Sequence, residues 1–150
     1  MKKKNFLIPL LLVVCIHHAD AISAALSPIS VTSQNICPGN TFEEFALNFS
    51  NNQRIQEKYT HIPLVKIELE EGSEEPESVK KLLTRKEIVF PVIDNENNRI
   101  SKGLEIKIIG NGLKFKKIKL FKPDSGYQIY YFFEEKNKCW HLIEIDDQSM

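Results

Sequence analysis

The chain has 150 residues, of which 42% are hydrophobic and 27% charged, a composition typical of a globular domain and not of a disordered or multi-span membrane protein. Twenty basic and twenty acidic side chains give a formal net charge of zero. This balance argues against a nucleic-acid-binding domain, because such domains are usually strongly basic.

The first 21 residues have the pattern of a secretory signal peptide. Lysines 2–4 precede an apolar run over residues 6–16, and Ala19 and Ala21 are the small residues that a signal peptidase requires. The run is shorter than the roughly 20 residues that span a bilayer, so we predict cleavage after Ala21 and no retained membrane anchor. Lipid attachment at Cys15 is the weaker alternative, because the bulky valine before it does not suit lipoprotein processing. The predicted location is the periplasm.

The predicted export determines the oxidation state expected for the cysteines. The mature chain keeps Cys37 and Cys139 in a compartment that oxidises thiols, which predicts a disulfide between them. The alternative is a pair of free buried thiols. A metal site is disfavoured, because neither His61 nor His141 lies at ligand spacing from a cysteine.

Residues 22–36 are predicted to be a flexible lead-in to a single α+β domain, 37–150. A capping box at Thr41 and Glu44 predicts the start of a helix. Its apolar stripe follows at helical spacing. The stripe consists of Phe42, Phe45, Ala46 and Phe49.

Three further elements are predicted before residue 87. Residues 53–59 favour a second short helix. Residues 62–69 alternate as a strand does, and Pro63 near the start indicates an edge position. Residues 73–86 carry acidic side chains first and basic ones later, the order that a helix dipole favours, so a surface helix is predicted there.

The remainder is predicted to be β. Strands are expected over residues 88–93, 104–109 and 113–121, with polar loops at 94–99 and 110–112. Within residues 113–121 the apolar positions change parity, which predicts a β-bulge at Lys116 and Lys117.

Aromatic and β-branched residues 127–134 and 139–145, joined by the polar residues 135–138, predict a hairpin at the sheet centre. The order of elements predicts one curved antiparallel sheet of about six strands against N-terminal helices.

The aromatic helix, Gln56 ahead of residues 62–64, and the terminal run 139–143 preceded by residues 131–133 together resemble a family of exported bacterial proteins of unknown function. That family is similar in turn to the nuclear-transport-factor-like cone fold, in which an aromatic helix lies across a curved sheet. The resemblance implies this fold and brings no catalytic motif with it. The superfold hosts enzymes, ligand binders and interaction modules.

A pocket in such a cone is predicted to be lined by Tyr130, Phe132 and Trp140. Proton carriers near it would be His141 and Glu144, but their opposite parities keep them out of one pocket unless a bulge intervenes. No nucleophile motif, phosphate loop or metal cluster is recognised, so no cofactor is expected.

Charge is segregated along the chain into an acidic segment and a lysine ridge. The candidate partner-binding residues are Glu70, Glu71, Glu74, Glu75, Lys114, Lys116, Lys117 and Lys119. Solvated faces explain such runs in the ordinary case, whereas a docking surface would use them to select a complementary protein.

The sequence therefore predicts a non-enzymatic periplasmic protein-binding module, with an inhibitor or immunity protein against an envelope-targeted toxin as the specific hypothesis. A small-molecule binder or an isomerase- or dehydratase-like enzyme is the alternative.

Overall fold

The structure, a computed structural model, describes residues 36–70, 77–110 and 112–150. The predicted signal peptide and residues 22–35 of the predicted lead-in lie outside the described residues.

The described residues form three helices and one six-stranded sheet. The helices are α1 (Phe42–Asn51), α2 (Gln53–Lys58) and α3 (Glu96–Lys102). The strands are β1 (Thr60–Leu69), β2 (Ser78–Leu83), β3 (Glu105–Ile109), β4 (Phe115–Phe121), β5 (Gln128–Lys136) and β6 (Cys139–Asp147). The strand order is β2-β1-β6-β5-β4-β3, and the sheet is curved but not closed. This confirms the predicted α+β class, although the sheet is mixed, because β1 runs parallel to β6.

Helix α1 begins as its sequence predicts. The Thr41 hydroxyl accepts a hydrogen bond from the backbone N–H of Glu44 at 3.2 Å, and the Glu44 carboxylate accepts one from the N–H of Asn40 at 2.8 Å. The first bond satisfies one of the N–H groups that a helix start leaves unpaired, whereas the second holds the residue before the N-cap and not the N-cap N–H of an ideal capping box. The predicted apolar stripe is buried, so α1 lies across the sheet with its aromatic side chains inward.

The β5–β6 hairpin occupies the sheet centre, as predicted. Its turn has two residues, Asn137 and Lys138, with φ of 52° and 62°, which matches the right-handed twist of the strands. Residues 135 and 136 therefore belong to β5 and not to the predicted loop. The register shifts between Phe132 and Phe133, which leaves Ile143 of β6 as an extra residue.

The predicted disulfide is confirmed, since the sulfurs of Cys37 and Cys139 lie 2.12 Å apart. It joins the segment before α1 to the first residue of β6. Closing a loop of 102 residues stabilises the fold by about 4 to 5 kcal/mol in the chain-entropy account.

The predicted helix over 73–86 is wrong where the structure describes it, because residues 78–83 form strand β2. Residues 71–76 lie outside the described residues. β2 pairs antiparallel with β1, from Leu69 opposite Ser78 to Leu64 opposite Leu83. The ladder outweighs the helix-dipole pattern, because pairing with β1 engages the N–H and C=O groups of alternate residues of β2, and Leu83 packs against the core.

The predicted strand over 88–93 is also wrong. Pro91 has no N–H to give to a ladder, and the N–H groups of Val92 and Ile93 bind a side chain of α2 instead. The predicted loop at 94–99 is wrong from Glu96 onward, because helix α3 begins there. Asn95 caps that helix by accepting a bond from the N–H of Asn98 at 3.0 Å.

Two smaller predictions fail. β1 is internal, between β2 and β6, and not an edge strand. Pro63 is accommodated because the β1–β6 register breaks between Thr60 and Val65. β4 has no bulge at Lys116 and Lys117, since its pairing runs without a shift from residue 115 to residue 121.

Candidate functional site

The space between α1 and the sheet is filled by side chains. The rings of Phe42, Phe45 and Phe49 meet the ring of Phe133 edge-on, with centroids 5.5, 5.8 and 5.1 Å apart. Phe45, Phe49 and Phe133 are completely buried. These residues form an aromatic core between α1 and the sheet.

The segment 88–93 closes this core from the side. Two of its side chains, Ile88 and Ile93, are buried. Gln56 of α2 is 1% exposed and fixes the segment: its side-chain oxygen accepts from the N–H of Val92 at 2.7 Å, and its nitrogen donates to the carbonyl of Ile93 at 2.8 Å. The Tyr131 hydroxyl donates to the Val92 carbonyl at 2.8 Å, so α2 and β5 clamp the segment from two directions.

The three predicted pocket residues do not meet. Trp140 lies on the helix-facing side of the sheet, 4.9 Å from the ring of Phe42. Tyr130 and Phe132 lie on the opposite side, because their strand neighbours Tyr131 and Phe133 fill the core. The predicted pocket is therefore wrong.

The other side of the sheet, which we call the outer face, carries a band of lysines and aromatic rings. Nζ of Lys117 lies over the rings of Tyr130 and Phe132, at 5.3 and 5.5 Å from the centroids. Nζ of Lys119 lies over Phe121 and Tyr130, at 5.3 and 5.5 Å. We define the lysine–aromatic band by seven residues. They are Lys107, Phe115, Lys117, Lys119, Phe121, Tyr130 and Phe132.

The band contains only half of the predicted lysine ridge. Lys116 has the parity of the core face, and its ammonium group donates to the carbonyl of Gly110 at 3.4 Å. Lys114 precedes β4 and is exposed. Lys107, which the sequence analysis did not identify, joins the band because it pairs with Lys119 across β3 and β4. For residues 115–121, alternation shows which lysines share the outer face once Ile118 and Leu120 are known to be buried, whereas Lys107 is found only through the β3–β4 register.

Of the acidic candidates, Glu70 is described and exposed, whereas Glu71, Glu74 and Glu75 lie outside the described residues. Beside Glu70, the carboxylate of Glu68 lies between the ammonium groups of Lys66 and Lys81.

Hydrogen bonds from Lys66 and then Lys81 lower the pKa of the Glu68 carboxyl to about 2. A half-open cleft of about 500 Å³ adjoins this group, with Val79, Asp147 and Ser149 in its lining. Because Glu68 is ionised and ion-paired near neutral pH, it has no proton to donate there.

The bulge at Ile143 is the exception that the parity argument allows: His141 lies opposite Glu134, and Glu144 lies opposite Phe132. The ring of His141 also lies 5.6 Å from the ring of Tyr59, which is buried. Burial lowers the pKa of the His141 imidazole. No three His, Cys, Asp or Glu side chains within residues 36–70, 77–110 and 112–150 are grouped as a metal site requires.

No helix in the described part of the chain is long and apolar enough to cross a membrane.

No protein-family model matches the chain, and no curated protein matches it. Among solved structures, it is similar to an NTF2-like protein from Bacteroides fragilis NCTC 9343, with a TM-score of 0.50 and 16% sequence identity. The match covers 73% of this chain and 47% of that one, so this chain spans about half of its length. At this identity the likeness concerns the fold alone, and the fold is compatible with binding and with catalysis. The chain has an NTF2-like fold.

Proposed function

We propose that this protein is a non-enzymatic periplasmic protein-binding module that acts as an inhibitor or immunity protein against a toxin directed at the cell envelope. The observation that carries the proposal is the contrast between a filled interior and an outer sheet face that holds unpaired positive charge. The predicted signal peptide and the disulfide support an envelope location.

The interior supports binding over chemistry. Its polar side chains include Gln56 and Tyr131, and both are engaged with backbone groups of the segment 88–93. Burial raises the pKa of the Tyr131 phenol, so it keeps its proton and serves as a hydrogen-bond donor. Neither group is free to exchange a proton with a substrate.

The outer face supports protein recognition. Interface centres are enriched in aromatic residues, and concentrated charge of one sign accelerates encounter with a complementary partner. The lysine–aromatic band combines both features. An inhibitor needs such a surface on a rigid element, and the pairing of β4 with β5 at seven positions and with β3 at five positions provides it.

Affinity capture from envelope extract tests the proposal. The mature, oxidised protein is immobilised beside two variants that each remove two positive charges: Lys117→Gln/Lys119→Gln, and the control Lys58→Gln/Lys86→Gln outside the band. We expect one protein to be retained by the wild type and the control and lost from the band variant. The retained protein, expressed in the envelope, should inhibit growth, and co-expression of this chain should relieve the inhibition. If no partner is retained at low salt and none at physiological salt, the proposal is contradicted.

A further inference from the structure

Along β4, the outer face follows a regular order. Residues 115, 117, 119 and 121 read apolar, basic, basic, apolar, and they share one face because strand side chains alternate. Successive members of this row lie about 7 Å apart along the strand. Phe115, at one end, is 58% exposed.

The lysines of the band lack neutralising partners. Lys107 lies directly opposite Lys119, a like-charge pair that destabilises a sheet. None of Lys107, Lys117 and Lys119 forms an ion pair with a carboxylate of the described residues. Among the carboxylates of the same face, Glu134 forms its ion pair with Lys136 at 2.8 Å. Three more lie opposite band residues but form no ion pair with a band lysine: Glu105, Glu144 and Asp146. The band therefore favours a ligand that brings negative charge.

Cations already cover three of the four aromatic rings of the band, so these ring faces are not open for a ligand to stack on. The ammonium groups of Lys117 and Lys119 already lie over the rings of Phe121, Tyr130 and Phe132. A sugar or a base would have to displace these cations to stack. A carboxylate instead meets ammonium groups that the rings hold in place, which reduces the entropy lost on binding.

We propose that the lysine–aromatic band binds an extended acidic segment of a partner protein. The segment carries carboxylates at two alternate positions, facing Lys117 and Lys119, and apolar side chains at the next alternate positions, facing Phe115 and Phe121. An extended chain places alternate side chains about 7 Å apart, which matches the row on β4. This inference rests on the proposed function and gives the chemistry of the partner.

The test uses a labelled peptide, Leu-Thr-Glu-Thr-Glu-Thr-Leu, and its control in which both Glu are Gln. Fluorescence anisotropy with the oxidised mature protein should give the Glu peptide an affinity at least about tenfold higher than that of the control. The preference should weaken as salt is raised. Lys117→Gln/Lys119→Gln should abolish it, Lys117→Arg/Lys119→Arg should retain it, and Lys58→Gln/Lys86→Gln should leave it unchanged.

Several outcomes would overturn the inference. They are equal affinity for the two peptides, an undiminished preference in the Lys→Gln band variant, and no binding of the Glu peptide at about 1 mM in low salt. The inference would also be overturned if a single-stranded oligonucleotide bound the band more tightly than the Glu peptide does. The same holds if the wild type formed a dimer that the Lys→Gln band variant does not form.

The two proposals fail separately. If affinity capture retains a partner through the band but the peptides show no preference, only the acidic-segment inference fails. If the peptides show the preference but no partner is retained, the surface chemistry stands and the proposed function fails.

Discussion

The replacement Gln56→Leu tests whether the segment 88–93 closes the interior as described. The substitution keeps a similar volume and removes both hydrogen-bonding ends of the amide. Three backbone groups then lose their partner: the N–H of Val92 at 2.7 Å, the N–H of Ile93 at 3.3 Å and the carbonyl of Ile93 at 2.8 Å.

Each buried backbone group left without a partner costs about 1 to 3 kcal/mol. Val92 is only partly buried, so water reaches some of these groups and the lower end of the range applies. We expect Gln56→Leu to reduce the free energy of unfolding by about 3 kcal/mol in total. For a domain of this size, that loss lowers the melting temperature by roughly 10 to 20 °C.

Urea unfolding of the oxidised mature protein, followed by the fluorescence of Trp140, measures the effect. Gln53→Leu is the matched control, because Gln53 lies on the same helix, is exposed and bonds only to Glu57 in the described structure. We expect the control to change stability by less than about 0.5 kcal/mol. If Gln56→Leu changes stability no more than Gln53→Leu, Gln56 does not hold the segment, and the account of a closed interior is wrong.

Three further predictions concern single interactions. Cys139→Ser should reduce the free energy of unfolding by about 4 kcal/mol, and reductant should destabilise the wild type to a similar extent without affecting the variant. Tyr131→Phe should cost about 1 to 2 kcal/mol, because the Val92 carbonyl loses its donor; a neutral result would show that water replaces the hydroxyl. Glu68→Gln should cost about 1 kcal/mol at pH 7, since its lysine partners are partly exposed. The folded-state pKa of Glu68 is depressed to about 2, so this contribution is complete above the ordinary carboxyl pKa of 4.5 and disappears as the pH falls towards 2. A Glu68→Gln cost that stays constant between pH 7 and pH 3 in urea titrations would refute the ion-pair explanation.

The elements that the sequence predicted well are those that local chemistry determines. Helix α1 has its cap and its stripe within ten residues of one another, and the β5–β6 hairpin has alternation on both sides of a short polar turn. The disulfide followed from the predicted export and from the two cysteines that the predicted mature chain retains. For the helix and the hairpin, the residues that determine the structure lie within one element. For the disulfide, the number of cysteines was sufficient.

The elements that it missed depend on partners far along the chain. β2 has the charge order of a helix, and only its ladder with β1 makes it a strand. The run 88–93 is apolar because it covers the core, and its N–H groups bind Gln56, 36 and 37 residues away. An apolar run cannot reveal whether it is paired or clamped.

The candidate surface was only partly predictable, because its composition also depends on residues that are distant in sequence. Lysines 114, 116, 117 and 119 were visible as a run, but the sequence did not say which of them share a face. That depends on Ile118 and Leu120 pointing into the core, and the inclusion of Lys107 depends on the register of β3 with β4. Tyr130 and Phe132 were placed in a pocket because alternation alone does not choose between the two faces of a sheet.

The most direct test of the central claim is lysine footprinting of the protein alone and in complex with the partner that affinity capture retains. Acetylation rates are measured for each lysine by mass spectrometry. If the outer face is the recognition surface, Lys117 and Lys119 should react much more slowly in the complex, while Lys58 and Lys86 should react at unchanged rates. Unchanged acetylation of Lys117 and Lys119 in a saturated complex would contradict the account.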